Sequence, residues 1–119
     1  EALGGLAYMR ALSSVSLRSP LTAVAVADGK VVGMAEVKAD GYVRNLVVGD
    51  ASRRRGVASR LLCWCAARAR KRGAERLWMH VAVGNEVGAG FYRRIGFDFG
   101  PEETFGPQQE LGMRLSKPL

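Results

Sequence analysis

Apolar positions along this chain follow two different periods, and the switch between them marks out the elements. Leu21 to Ala27 is a valine-rich apolar run. Val31 to Val37 follows it, and Asp28-Gly29 between the two is a strong hairpin signal. Asp40-Gly41 marks a second turn, and Tyr42 to Val48 is the third strand of an antiparallel meander. From Gly56 the period changes: Val57, Leu61, Cys65 and Ala69 recur every four residues with Leu62 beside them. That spacing predicts an amphipathic helix as far as Arg72, closed by Gly73 at C′. Leu77 to Val83 returns to strand character. Asn85 is a good N-cap for a second helix, whose apolar stripe is Val87, Phe91 and Ile95 and which Gly96 ends. Phe97 to Phe99 reads as a short strand, and Gln109 to Leu115 as the last one. Between them lies a loop, Gly100 to Gln108, holding Pro101 and Pro107. Ahead of the meander, residues 2–12 read as a short helix and Ser13 to Pro20 as a loop.

The sum is an α/β protein: one domain over residues 1–119 with a mixed, mostly antiparallel central sheet. The β–α–β unit from Tyr42 to Val83 requires a right-handed crossover and parallel pairing of its two strands. Ligands of such sheets sit at the carboxyl ends of strands beside helix N-termini. The turn from Val48 to Gly56 is at such a place.

Composition adds a direction. The chain is 119 residues with a net charge of +7, which favours anionic partners. Arg53, Arg54, Arg55, Arg60, Arg68, Arg70, Lys71 and Arg72 fall between Ala51 and Ala74 with no acidic residue among them. The last four read equally as a solvated helix face. No apolar run approaches the roughly 20 residues that span a bilayer. Cys63 and Cys65 lie on different faces of their helix, which opposes a disulfide or a metal pair. His80 is the one other soft ligand, so no metal site is expected. A nucleic-acid-binding role is not expected either, since aromatic and basic residues do not interleave on a sheet face.

The loop is not a Walker loop, nor a dinucleotide fingerprint. Asn45-Leu46-Val47-Val48 followed by Arg53-x-x-Gly56-x-Ala58 instead resembles the acyl-CoA-binding motif of the GNAT N-acetyltransferase superfamily. Downstream, Leu77-Trp-Met-His80-Val81, Asn85-Glu86 and Phe91-Tyr92-Arg-Arg-Ile-Gly96-Phe97 are similar to the second half of that family's pattern. The resemblance covers about residues 22–115, with residues 42–96 as the acyl-CoA-binding core. It implies acetyl-CoA as co-substrate, held where the strands Tyr42–Val48 and Leu77–Val83 splay apart. Strand backbone at Leu46 and Val48 would pair with the pantetheine arm, Val47 between them belonging to the same cofactor-binding stretch, and Asn85 would touch it. Arg53 belongs to the motif, and amides from Arg54, Arg55, Gly56, Val57, Ala58 and Ser59 would hold the pyrophosphate. The family has further structure ahead of residue 21, so residues 1–20 look like a remnant of its N-terminal helical segment.

For the chemistry, the resemblance assigns Tyr92 as general acid to the departing thiolate and the Val48 N–H as oxyanion donor. A narrower resemblance, to a eukaryotic class of protein N-terminal acetyltransferases, pairs His80 with Tyr42 as the base. Each of the three side chains also has a purely structural reading: Tyr92 as a packing tyrosine, His80 as a strand histidine, Tyr42 as a strand-start aromatic. Glu102 and Glu103 fall in the loop, where the pair reads as solvated or, alternatively, as attracting a cationic acceptor such as lysine or a polyamine. The expected function is acetyl transfer from acetyl-CoA to a primary amine, of a protein N-terminus or lysine. A small-molecule amine and a non-catalytic acyl-CoA-binding module are the alternatives. Edge strands left by a missing first strand would allow a homodimer. A cytoplasmic or organellar location is expected, plastid included if a transit peptide was removed, and not secretion.

Overall fold

The computed structural model describes residues 6–12, 21–50 and 56–119, the first of these through its backbone alone. The elements run β1 (Leu6–Leu12), β2 (Leu21–Ala27), β3 (Lys30–Val37), β4 (Val43–Val48), α1 (Val57–Lys71), β5 (Arg76–Ala82), α2 (Glu86–Arg94), β6 (Asp98–Phe105) and β7 (Glu110–Pro118). They form two sheets, one ordered β1-β2-β3-β4 and the other β5-β7-β6, and every ladder is antiparallel. The hairpin at Asp28-Gly29 forms as its sequence dictates, both residues taking positive φ, 52° and 76°.

The two sheets meet at one parallel bridge, Tyr42 to Trp78, where the Trp78 N–H donates to the Gly41 carbonyl at 3.0 Å. Gly41 is what allows this approach. Its φ is +90°, and a Cβ there would collide with the Arg76 carbonyl oxygen. Beyond the bridge β4 and β5 part. The cause is visible in the β3–β4 register, where Met34 pairs with Val47 and Glu36 with Arg44. Three steps on β4 therefore oppose two on β3, which is a β-bulge, and it bends the strand and raises its twist. Asn45 sits in it with φ +55°.

Helix α1 covers one face. Val57, Leu61, Leu62, Cys65 and Ala69 are its buried residues, matching the four-residue spacing of the sequence. They pack with Val37, Val43, Leu77, Met79, Val81 and Leu115 of the sheets. Arg72 caps the helix, Gly73 follows at φ +91°, and Arg68, Arg70 and Lys71 in the last turn complement the helix dipole.

Four expectations are corrected. Residues 2–12 do not make a helix where they are described: Leu6–Leu12 is strand β1, paired with β2. β1 thus covers the edge that a missing first strand would have left on β2. Residues 100–108 are not an open loop, because β6 runs to Phe105 and only a tight turn separates it from β7. Pro101 hid the strand in the sequence; it is accommodated at a register shift between Phe99 and Glu102. Val87 is not part of a buried stripe but 87% exposed, and Ala89 is the buried residue of α2.

Candidate functional site

Alternation along β5 turns Leu77, Met79 and Val81 into the core under α1. It therefore turns Trp78 and His80 to the opposite face. There His80 meets Tyr42, the bridge residue immediately before β4, just before the strands part. Tyr42 Oη and His80 Nδ1 are 2.9 Å apart and share a hydrogen bond. On its other side His80 Nε2 donates to Oε2 of Glu103 at 2.6 Å, a carboxylate being an acceptor only. Arg114 donates through Nε to the same oxygen at 2.8 Å, and through Nη2 to Oε1 at 3.4 Å. The His80 side chain is 8% exposed. The Phe105 ring stacks on it at 4.8 Å and 6°. The Tyr42 ring lies against Trp78 at 4.4 Å.

Electrostatics follow from these contacts. Burial raises the Tyr42 phenol above its ordinary value, with Arg44 opposing that and Glu103 adding to it. Tyr42 therefore stays a neutral phenol at physiological pH. The Arg114 and then the His80 hydrogen bonds hold the Glu103 carboxyl below the usual range, so it stays ionised.

A cavity of about 220 Å³ occupies the V between the strands, lined among others by Arg44, Asn45, Leu46, His80, Asn85 and Tyr92. Tyr92 reaches it from α2. Its ring is fixed edge-on against Phe91 at 5.3 Å and Phe97 at 5.7 Å, and burial raises its phenol. Asn85 caps α2 as expected, accepting from the Gly88 N–H at 3.0 Å. On β4, Gly49 donates to the Val32 carbonyl at 2.8 Å. Successive peptide groups of a strand point to opposite edges, so the Val48 N–H points away from β3 and into the gap. Leu46 lines the gap, while Val47 is a β3 partner with an exposed side chain.

The N-terminus of α1 has the features that suit an anion. Gly56 takes φ 78° at the N-cap, no side chain among the described residues caps the helix, and no acid lies in its first turn. The Val57 side chain is buried in the core, so only its amide, with those of Ala58 and Ser59, can serve a ligand. Arg53, Arg54 and Arg55 lie outside the described residues. A β4 edge with no ladder partner among the described residues beyond the bridge, a gap lined by Asn85 and Tyr92 among others, and a glycine-led helix start fit a long thiol ester ending in phosphates. Among the described residues, no group of three or more metal-ligating side chains comes together, and no helix is long and apolar enough to cross a membrane.

The structure thus joins Tyr42 to His80 directly and places Tyr92, Asn85 and Leu46 around one cavity with His80. Glu103, Arg114, Trp78 and Phe105 were not legible as neighbours of the Tyr42–His80 pair. The hidden strand was the reason for Glu103 and Phe105, since alternation over residues 101–105 is the one signal that puts both on the His80 face.

Comparison with known proteins adds the following. The model of the Acetyltransferase (GNAT) family matches residues 6–97. "GCN5-related N-acetyltransferase 6, chloroplastic" of Arabidopsis thaliana is 37% identical over 57 residues, which are 48% of this chain and 20% of that protein. A Danio rerio protein named "Probable N-acetyltransferase 14" is 34% identical over 94 residues, 73% of this chain and 32% of that one. The chain therefore spans about a fifth to a third of these relatives' length. Among solved structures, a GNAT family acetyltransferase from Elizabethkingia anophelis with acetyl-CoA bound superposes with a TM-score of 0.77 at 11% identity, over 94% of this chain and 97% of that one.

Proposed function

The chain belongs to the acetyltransferase (GNAT) family, and from that premise we propose that it moves an acetyl group from acetyl-CoA to a primary amine of a protein, an N-terminus or a lysine, by direct attack in a ternary complex. The observation that carries this reading is the 2.9 Å pairing of Tyr42 Oη with His80 Nδ1 beside the gap between β4 and β5. In this reading the pair accepts a proton beside the gap that would hold the thioester, and together with the narrower resemblance it supports the peptide class of acceptor.

Acetyl-CoA supplies an activated acyl carbon and a sulfur leaving group. Leu46 and Val48 on the β4 edge, Asn85, and the amides of Gly56 to Ser59 are the residues that would hold it, with Arg53, Arg54 and Arg55 adjoining them in sequence. Three tasks fall to the chain. The Tyr42–His80 pair removes a proton from the acceptor ammonium, leaving a neutral amine. The Val48 N–H offers a hydrogen bond to the carbonyl oxygen as negative charge gathers on it. Tyr92 holds a proton at Oη for the departing sulfur, and its burial keeps that proton in place through neutral pH.

The test is release of CoA from acetyl-CoA against a panel of peptides, lysine-bearing proteins and small amines, beside calorimetric binding of acetyl-CoA. Turnover on peptides is expected, reduced about 10²- to 10⁴-fold in His80→Ala with acetyl-CoA binding retained. Turnover on small amines alone would move the acceptor to that class. Binding without turnover on any acceptor would leave an acyl-CoA-binding module and overturn the catalytic reading.

A further inference from the structure

The face around His80 is built from four strands, and two charged residues on it have no part in the proton transfers described so far. Arg114 on β7 is the direct cross-strand partner of His80. Glu103 on β6 reaches His80 across β7, opposite Gly112. Gly112 makes that crossing possible for the neighbouring ring: a Cβ there would stand 2.5 Å from Phe105 and 2.6 Å from the Val81 carbonyl, so the absence of one lets Phe105 lie on the imidazole. His80 is thus stacked on one side, hydrogen-bonded at both nitrogens, and almost enclosed.

These contacts fix a proton. Glu103 is held as a carboxylate by the Arg114 fork and can only accept. Nε2 must therefore carry the hydrogen. In the neutral ring Nδ1 then has the lone pair, and the Tyr42 hydroxyl donates to it. Arg114 is itself placed by the Trp78 ring, its guanidinium 4.7 Å from the centroid.

We propose that Glu103, clamped by Arg114, is a positioning residue that locks His80 with its proton on Nε2 and so sets the direction of proton travel. Tyr42 Oη takes the proton from the acceptor ammonium while passing its own to His80 Nδ1. The amine is left neutral, the phenol is again neutral, and the ring becomes an imidazolium facing the Glu103 carboxylate. The catalytic meaning of this arrangement rests on the acetyltransferase reading above; the position of the ring proton does not.

His80 is the one histidine in the sequence, so its ring can be read without overlap in a protein labelled with ¹⁵N-histidine. The expected spectrum shows the Nε2–H tautomer with a downfield, slowly exchanging Nε2 proton. Glu103→Ala is expected to abolish that slow proton and to lower kcat at least about tenfold, with the acetyl-CoA KM within about threefold. Glu103→Gln keeps an acceptor without its charge, and is expected to retain the tautomer while losing rate. Arg114→Lys, which keeps the charge and loses the fork, is expected to fall between Glu103→Ala and the unchanged protein. A ring proton on Nδ1 would overturn the proposal. So would a Glu103→Ala protein with unchanged ring signals, or one whose ring signals change while its turnover does not. If the unchanged protein acetylates no amine, the acetyltransferase reading fails, and the ring signals still decide whether the clamp exists.

Discussion

Replacing Tyr92 with phenylalanine separates its packing from its chemistry. The ring is held by edge contacts with Phe91 and Phe97 at 5.3 and 5.7 Å, and none of these involves the hydroxyl. Among the described residues no hydrogen bond to Tyr92 Oη is formed. Tyr92→Phe should therefore change folding stability by no more than about 1 kcal/mol, the scale of one buried hydroxyl. The effect on rate should be far larger. A positioned general acid is worth about 10²- to 10⁴-fold, or roughly 2.7 to 5.4 kcal/mol of barrier. The KM for acetyl-CoA should move less than about threefold, because the missing atom acts on the leaving group and not on binding. Burial raises the Tyr92 phenol, so the alkaline limb it sets in the kcat profile lies above the ordinary tyrosine value of 10.0. Loss of the hydroxyl should remove that limb. CoA is best measured by chromatography, because the exposed Cys63 would react with thiol reagents. A Tyr92→Phe protein with kcat within threefold of the unchanged one would refute the general-acid role. A large loss of stability would instead show that the hydroxyl holds the fold.

Three further outcomes follow from the packing. Gly41→Ala should cost more than about 2 kcal/mol by urea unfolding, since it adds a collision with the Arg76 carbonyl to the strain of positive φ. Gly29→Ala is its control: φ is +76° with nothing within 4 Å of the new Cβ, so only the roughly 1–2 kcal/mol of backbone strain should appear, and equal losses in the two would contradict the role of Gly41 in joining the sheets. A small alkylating reagent should modify Cys63 and spare Cys65 in the native protein, since burial pushes the Cys65 thiol up to about 12; mass mapping showing both labelled at pH 8 would contradict this. The folded Cys65 value lies above its ordinary 9.0, so its contribution to stability is complete below pH 9 and is lost as pH rises through 12. Subtracting the pH–stability curve of Cys65→Ala from that of the unchanged protein should expose that decline, and a flat difference would oppose it.

Local rules accounted for much of this molecule. Positive-φ turns need glycine or its substitutes, which placed Asp28-Gly29 and the stop at Gly73. A four-residue apolar spacing fixed the buried face of α1, and the order of strands around that helix required β4 and β5 to run parallel. Tyr42, His80, Tyr92 and Asn85 could be singled out as candidates because they sit at fixed steps from those elements within motifs that resemble the family's. Tertiary structure decided the rest. β1 is a strand because β2 offers it an edge, a partner no window of its own sequence contains. The extent of β6 past Pro101 is settled by the register of β7. Whether β4 and β5 stay paired depends on one extra residue at Asn45, counted only against β3. Glu103 and Arg114 lie far from His80 along the chain and come to it through cross-strand neighbours, so the proton held on its ring is fixed by long-range pairing. Sequence periodicity reports which way a side chain turns from its own element; it carries no record of which strand lies alongside.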